Sequence, residues 1–170
     1  MARAENLLGA VSLTLADRLR SVGAGQGLSA SEQAAVVTLH AHPDQAVSWL
    51  GEVLGLTSSG MTRLVDRLVE RGWVVRSPGT DARQRRLRLT GSGTKRARML
   101  QREQDEVLGA ALATLSGRDR VDLERLLGRL VGDLAVDYLP AVRTCRLCDR
   151  DACRASAEPC PLDHTIPADV

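Results

Sequence analysis

Apolar residues recur at helical spacing along most of this chain, and the spacing switches once to that of strands. Leu7, Leu8, Val11, Leu15 and Leu19 fall on one face, so residues 3–22 are expected to form a helix that the glycine-rich residues 23–27 interrupt. Ser29 or Ser31 can cap a second helix carrying Ala34, Val36, Val37 and Leu39; Glu32 stands three positions after Ser29, in capping-box register, and Pro43 lies beyond the end. Residues 46–54 read as a short third helix whose Trp49, Leu50 and Val53 belong to the core, and Gly55 turns the chain out of it. Met61, Leu64, Val65, Leu68 and Val69 then make the stripe of a fourth helix, with Thr57 or Ser58 as its cap and Gly72 at its end. Beyond that glycine the period changes: residues 73–76 and 86–89 read as two strands, and the turn-forming residues 77–81 fold them into a hairpin.

After Thr90 the helical period returns. A long tract begins at residues 91–93, polar and basic at first through Lys95, Arg96, Arg98 and Arg102, then apolar through Val107, Leu108, Ala111, Leu112 and Leu115. Ser116 or Gly117 breaks it, and residues 118–139 are expected to form one more helix, with Leu123, Leu126, Leu127, Leu130, Val131, Leu134 and Tyr138 in a stripe that Pro140 ends. The pattern predicts a mainly α fold: a winged helix-turn-helix with a two-stranded β wing over residues 28–90, helical regions at 3–22 and 92–140 for dimerisation, and a tail from 141 to 170. The 118–139 stripe is too apolar to face water alone; with the N-terminal helix it could close an intramolecular core, but a two-fold dimer is the expected way to cover it.

Charge changes the picture at the hairpin. The net charge is only +2, so the chain is no general polycation, but arginines cluster locally. Arg63, Arg67 and Arg71 lie four apart on the fourth helix, and Arg76, Arg83, Arg85, Arg86 and Arg88 load the hairpin. Duplex DNA carries one phosphate charge per ~1.7 Å of axis, which suits an arginine-rich wing beside a helix that begins with small polar residues. Ser58, Ser59, Thr62 and Arg63 are the candidates for base edges and phosphates, Arg85 and Arg86 for phosphates, Arg76 is a further DNA-binding candidate, and Met61 and Leu64 are expected to face inward. Arg67 is expected to be a structural ion-pair partner, of Asp66, Glu70 or Glu52.

The run from Leu54 through Val74, then Arg76, Asp81-Ala82-Arg83 and Leu87-Arg88-Leu89-Thr90-Gly91, resembles the winged helix-turn-helix of MarR-type bacterial transcriptional regulators over about residues 5–140. The resemblance implies a homodimer that reads a pseudo-palindromic operator in double-stranded DNA, Arg83 as the wing arginine oriented by Asp81, and a small phenolic or lipophilic effector in the cleft between dimer and DNA modules. It does not extend to the last thirty residues.

Those residues hold all four cysteines, as Cys145-x2-Cys148-x4-Cys153-x6-Cys160. Four thiols so close together point to metal ligation or to regulatory disulfides, and tetrahedral zinc is the expected occupant with an Fe–S cluster as the alternative. His164 follows as a spare ligand, while His40 and His42 are expected as exposed helix-end residues. Arg143, Arg146, Arg150 and Arg154 surround the thiols and favour their ionised form.

With 44% hydrophobic residues but 2% aromatic and no Phe, the core must be built from Leu, Val and Ala. No apolar run approaches the ~20 residues of a membrane span and no secretory leader is apparent, so a cytoplasmic chain without a membrane partner is expected. No paired carboxylates, Ser/His/Asp set or phosphate-cradling glycine motif points to an enzyme. The reading is a DNA-binding repressor, tuned by a small ligand or by metal or redox state at the tail. The alternative is a metal or redox protein that uses its winged helix only as an interaction module.

Overall fold

The computed structural model describes residues 2–78, 85–155 and 159–166. Its helices and strands run α1 (Arg3–Gly25), α2 (Ala30–Ala41), β1 (Gln45–Ala46), α3 (Val47–Leu54), α4 (Ser58–Glu70), β2 (Val74–Pro78), β3 (Arg85–Leu89), α5 (Gly91–Leu112), α6 (Gly117–Gly132), α7 (Tyr138–Thr144) and α8 (Arg150–Arg154), with a single 3-10 turn at Asp163–Thr165. Caps define most of the boundaries. Ser29 and Glu32 close a capping box on α2, Thr57 caps α4, Thr90 caps α5, and Ser116 with Asp119 closes a second box on α6.

One core joins the DNA module to the long helices. Leu39, Leu50, Leu64, Leu68, Leu87 and Leu100 are all fully buried in it, with valines filling between them. Leucine and valine do the work that aromatic residues do elsewhere, and the partly buried Trp49 and Trp73 pack at its edge. Close approach at one point requires glycine: a Cβ on Gly93 would sit on the Trp73 carbonyl oxygen, the atom that accepts the Thr90 N–H at 2.9 Å.

Three differences from the sequence reading have physical causes. The wing is part of a three-stranded antiparallel sheet ordered β1-β3-β2, because Asp44, at φ 60°, turns Gln45 and Ala46 alongside Leu87 and Arg86. Two residues are too short to show a period. The stripe over 118–139 is not one helix: α6 ends at Gly132 and a turn over 133–137 precedes α7. Pro140 therefore ends nothing. It is the third residue of α7, where its missing N–H would have had no intrahelical acceptor.

No residue of α6 is buried; Leu126, Leu127 and Leu130 stand exposed along it and Leu134 just beyond its end, as do Leu7, Leu8 and Val11 on α1. Apolar surface of this extent marks an interaction face. Among the described residues, no helix is long and apolar enough to cross a membrane.

Candidate nucleic-acid interface and cysteine pocket

The helix-turn-helix is held by local chemistry. Gly55 adopts the left-handed conformation, φ 65°, that turns α3 into α4, and the Thr57 hydroxyl accepts the Gly60 N–H at 3.2 Å. Met61, Leu64, Val65 and Leu68 are buried, as expected, which leaves Ser58, Ser59, Thr62 and Arg63 exposed together on the outer face of the first turns. The Thr62 hydroxyl donates to the Ser58 carbonyl at 3.0 Å and retains its capacity to accept. Small side chains around a helix N-terminus leave backbone N–H groups open to a phosphate, while Arg63 extends beyond them.

Behind this face, α4 is anchored to α2. Arg67 Nε donates to Glu32 Oε1 at 3.1 Å and Arg71 approaches the same oxygen at 4.0 Å. The partner of Arg67 is thus neither Asp66, Glu70 nor Glu52 but a buried carboxylate 35 positions away. Burial pushes the Glu32 carboxyl up, but hydrogen bonds from the Ser29 N–H and hydroxyl and from Arg67, with the charge of Arg71, outweigh it and hold the pKa below the ordinary value. Asp66 pairs instead with Arg76 of β2, which ties the start of the wing to α4.

At the base of the wing, Arg86 donates to the Asp44 carbonyl at 2.6 Å and lies 3.8 Å from its carboxylate, while Arg88 lies 3.4 Å from the same carboxylate. Arg85 is exposed beside them. Arg71 and Arg96 stack on the Trp73 ring at 5.0 and 4.8 Å, a brace between the end of α4 and α5. Asp81 and Arg83 lie outside the described residues. Ser58, Ser59, Thr62, Arg63, Arg76, Arg85 and Arg86 all belong to one α4-and-wing module.

The tail forms a second constellation. Cys145 caps the end of α7, Cys148 follows within a tight turn, Cys153 lies on α8 and Cys160 precedes the 3-10 turn. All four line a single pocket together with His42 and Tyr138, and none is in a disulfide. The Cys145 and Cys148 thiols are hydrogen-bonded, which raises the pKa of Cys145 and lowers that of Cys148, the latter against the effect of burial. Burial and the neighbouring Cys160 push the Cys153 thiol up. Among the described residues, no group of three or more His, Cys, Asp or Glu side chains is arranged to hold a metal ion. The donor set nevertheless fits a thiophilic cation chemically, since four soft sulfurs share one partly apolar pocket.

The histidines are not the exposed helix-end residues expected. Both are half-buried: His42 packs on Trp49 with ring centroids 5.4 Å apart and faces Arg150 at 3.3 Å, while His40 borders a polar hollow with Arg98 and Asp149. Contacts across more than a hundred positions leave no trace in local spacing. The tail is also joined to the DNA module through Thr38, whose hydroxyl donates to the Arg146 carbonyl at 3.2 Å.

The paired helices, the exposed polar start of α4 and the arginine-bearing hairpin define a winged helix-turn-helix of the DNA-binding transcription-regulator class. Residues 26–84, which hold the helix-turn-helix and the start of the wing, match the model of the MarR family. Among solved structures, a MarR family protein from Bacillus stearothermophilus is similar at 27% identity and TM-score 0.67 over 75% of this chain and 89% of that one. Wild-type MarR from E. coli is similar at 21% identity and TM-score 0.67, over 76% of this chain and 97% of its own. MepR, a transcription regulator of the Staphylococcus aureus multidrug efflux pump MepA, is similar at 16% identity and TM-score 0.68, over 79% and 100%. No curated protein matches this sequence.

Proposed function

We propose that the chain represses transcription by binding a pseudo-palindromic operator as a homodimer. The observation that carries this reading is the exposure of Ser58, Ser59, Thr62 and Arg63 on the outer face of α4 while the opposite face is locked into the core. Two such helices, related by a two-fold axis through the exposed apolar faces of α1 and α6, would enter successive major grooves ~34 Å apart. The wing arginines, with Arg83 in the minor groove, supply sequence-independent phosphate affinity and steepen the salt dependence. An effector tunes the affinity, either a small molecule in the cleft between modules or a zinc ion at Cys145, Cys148, Cys153 and Cys160, with an Fe–S cluster as the alternative occupant. A bound zinc would act there as a structural cross-link held by four thiolates.

The test is fluorescence anisotropy on a duplex selected from a random pool. Arg63→Ala is expected to weaken binding about tenfold and to relax the preference at one base position per half-site. Arg83→Ala is expected to weaken it more than tenfold with the dimer intact. Wild-type affinity in both variants would remove the assignment of helix and wing.

A further inference from the structure

We propose that the cysteine pocket is the joint between the DNA-reading module and the dimerisation helix, and that a thiophilic cation bound there fixes the one relative to the other. The proposal deepens the regulator reading, from which it takes its consequence but not its test.

The tail touches both sides at once. Toward the helix-turn-helix, Thr38 bonds the Arg146 carbonyl, Arg150 bonds the Ala41 carbonyl at 3.4 Å, and Arg143 lies over the turn glycine so closely that a Cβ on Gly55 would meet its Nη2 at 2.5 Å. Toward α6, Pro161 packs on Gly128 and Gly132, and His164 Nε2 lies 3.1 Å from the Ala135 carbonyl oxygen. The cysteines are divided between these two halves. Cys145 and Cys148 sit in the segment that grips α2 and α3, Cys160 adjoins the Pro161 that grips α6, and Cys153 lies between them on α8.

Little else holds the halves together. Among the described residues, the cluster there buries Ala135, Ala141 and Leu162, with Val131, Cys145 and Cys160 packed against them and Val142 and Thr165 buried nearby. A set so small and so short of large side chains contributes little burial energy. Ligation of one Zn(II) by all four sulfurs would close a loop through both halves, releasing four thiol protons to solvent and leaving a net charge of −2 on the site. Arg146 and Arg150 stand beside the thiols to offset that charge. The side chains must rotate inward to share one ion, so occupancy and the grip on Gly55 and on Gly132 change together.

The experiment compares the full reduced chain after addition of one equivalent of Zn(II) with the same chain stripped by chelator. Zinc content is read by elemental analysis, and amide hydrogen exchange is followed over residues 51–60 and 128–135. The expected result is one zinc per chain, with exchange at least fivefold slower in both segments when zinc is bound. In a Thr38→Val, Arg143→Ala double variant, zinc content and the slowing at 128–135 should persist while the slowing at 51–60 is lost. Thr38 is buried but valine keeps its shape, and Arg143 is exposed, so the fold should survive both changes. A wild-type chain that takes no zinc, or one that takes zinc with exchange unchanged outside the tail, would overturn the proposal. Failure of the DNA selection would instead remove the regulator reading and leave this result standing.

Discussion

Glu32 ties the start of α2 to two arginines at the end of α4, and replacing it with alanine isolates the value of those contacts. Its carboxylate accepts from the Ser29 N–H and hydroxyl at 2.8 Å each, from Arg67 at 3.1 Å, and lies 4.0 Å from Arg71. In Glu32→Ala the Ser29 hydroxyl still caps the helix, because it accepts the backbone N–H of residue 32, so only the return half of the capping box is lost. That half is worth about 0.5–1 kcal/mol. Arg67 is 48% exposed and stays solvated, which limits the ion pair to about 1 kcal/mol. The sum is about 1.5–2 kcal/mol, or a Tm lower by about 3–8 °C at this chain length.

Thermal unfolding followed by circular dichroism at fixed protein concentration reads this directly, and Glu32→Gln, which keeps an acceptor but no charge, should fall about midway. The pH dependence has a definite sign. The folded carboxyl has a lowered pKa, so its contribution is full above the unfolded value of 4.5 and fades as the pH falls below that through the folded value. The gap between wild type and Glu32→Gln should therefore shrink on acidification. A Glu32→Ala protein within 1 °C of wild type at pH 7, or a gap that widens in acid, would refute the reasoning.

Other outcomes follow from the same geometry. Leu127 and Leu130 are 43% and 50% exposed within the chain, and Leu127→Glu with Leu130→Glu would place four charges in the proposed two-fold interface; light scattering should show a dimer for wild type and a monomer for the variant at micromolar concentration. Gly93→Ala forces a methyl onto the Trp73 carbonyl oxygen and should cost about 1–3 kcal/mol, seen as a Tm drop of about 2–12 °C. Cys145→Ser with Cys148→Ser should abolish metal uptake and leave the dimer intact by size-exclusion chromatography; a monomer would place the tail inside the dimer core.

What could be read from the sequence was what depends on near neighbours. The stripe of Met61, Leu64, Val65 and Leu68, the turn at Gly55 and the capping box at Ser29 and Glu32 all act within four positions, and each stands where its spacing places it. The hairpin strands followed from a change of period. The rest was written across distance. Arg67 finds Glu32 because α2 folds over α4, and His42 meets the cysteine tail because α7 docks on α3, neither of which leaves a periodic mark. The break at 133–137 was hidden by the stripe itself, since Leu134 and Tyr138 continue its spacing although Leu134 points to solvent beyond the end of α6.

The most direct test of the central claim is selection of duplexes from a random pool by the wild-type dimer. The account predicts an enriched inverted repeat whose half-site centres lie about 10–10.5 bp apart or a multiple of that, bound with an affinity that falls steeply as salt rises. A pool with no enriched motif, or one enriched in a single unrepeated site, would contradict it.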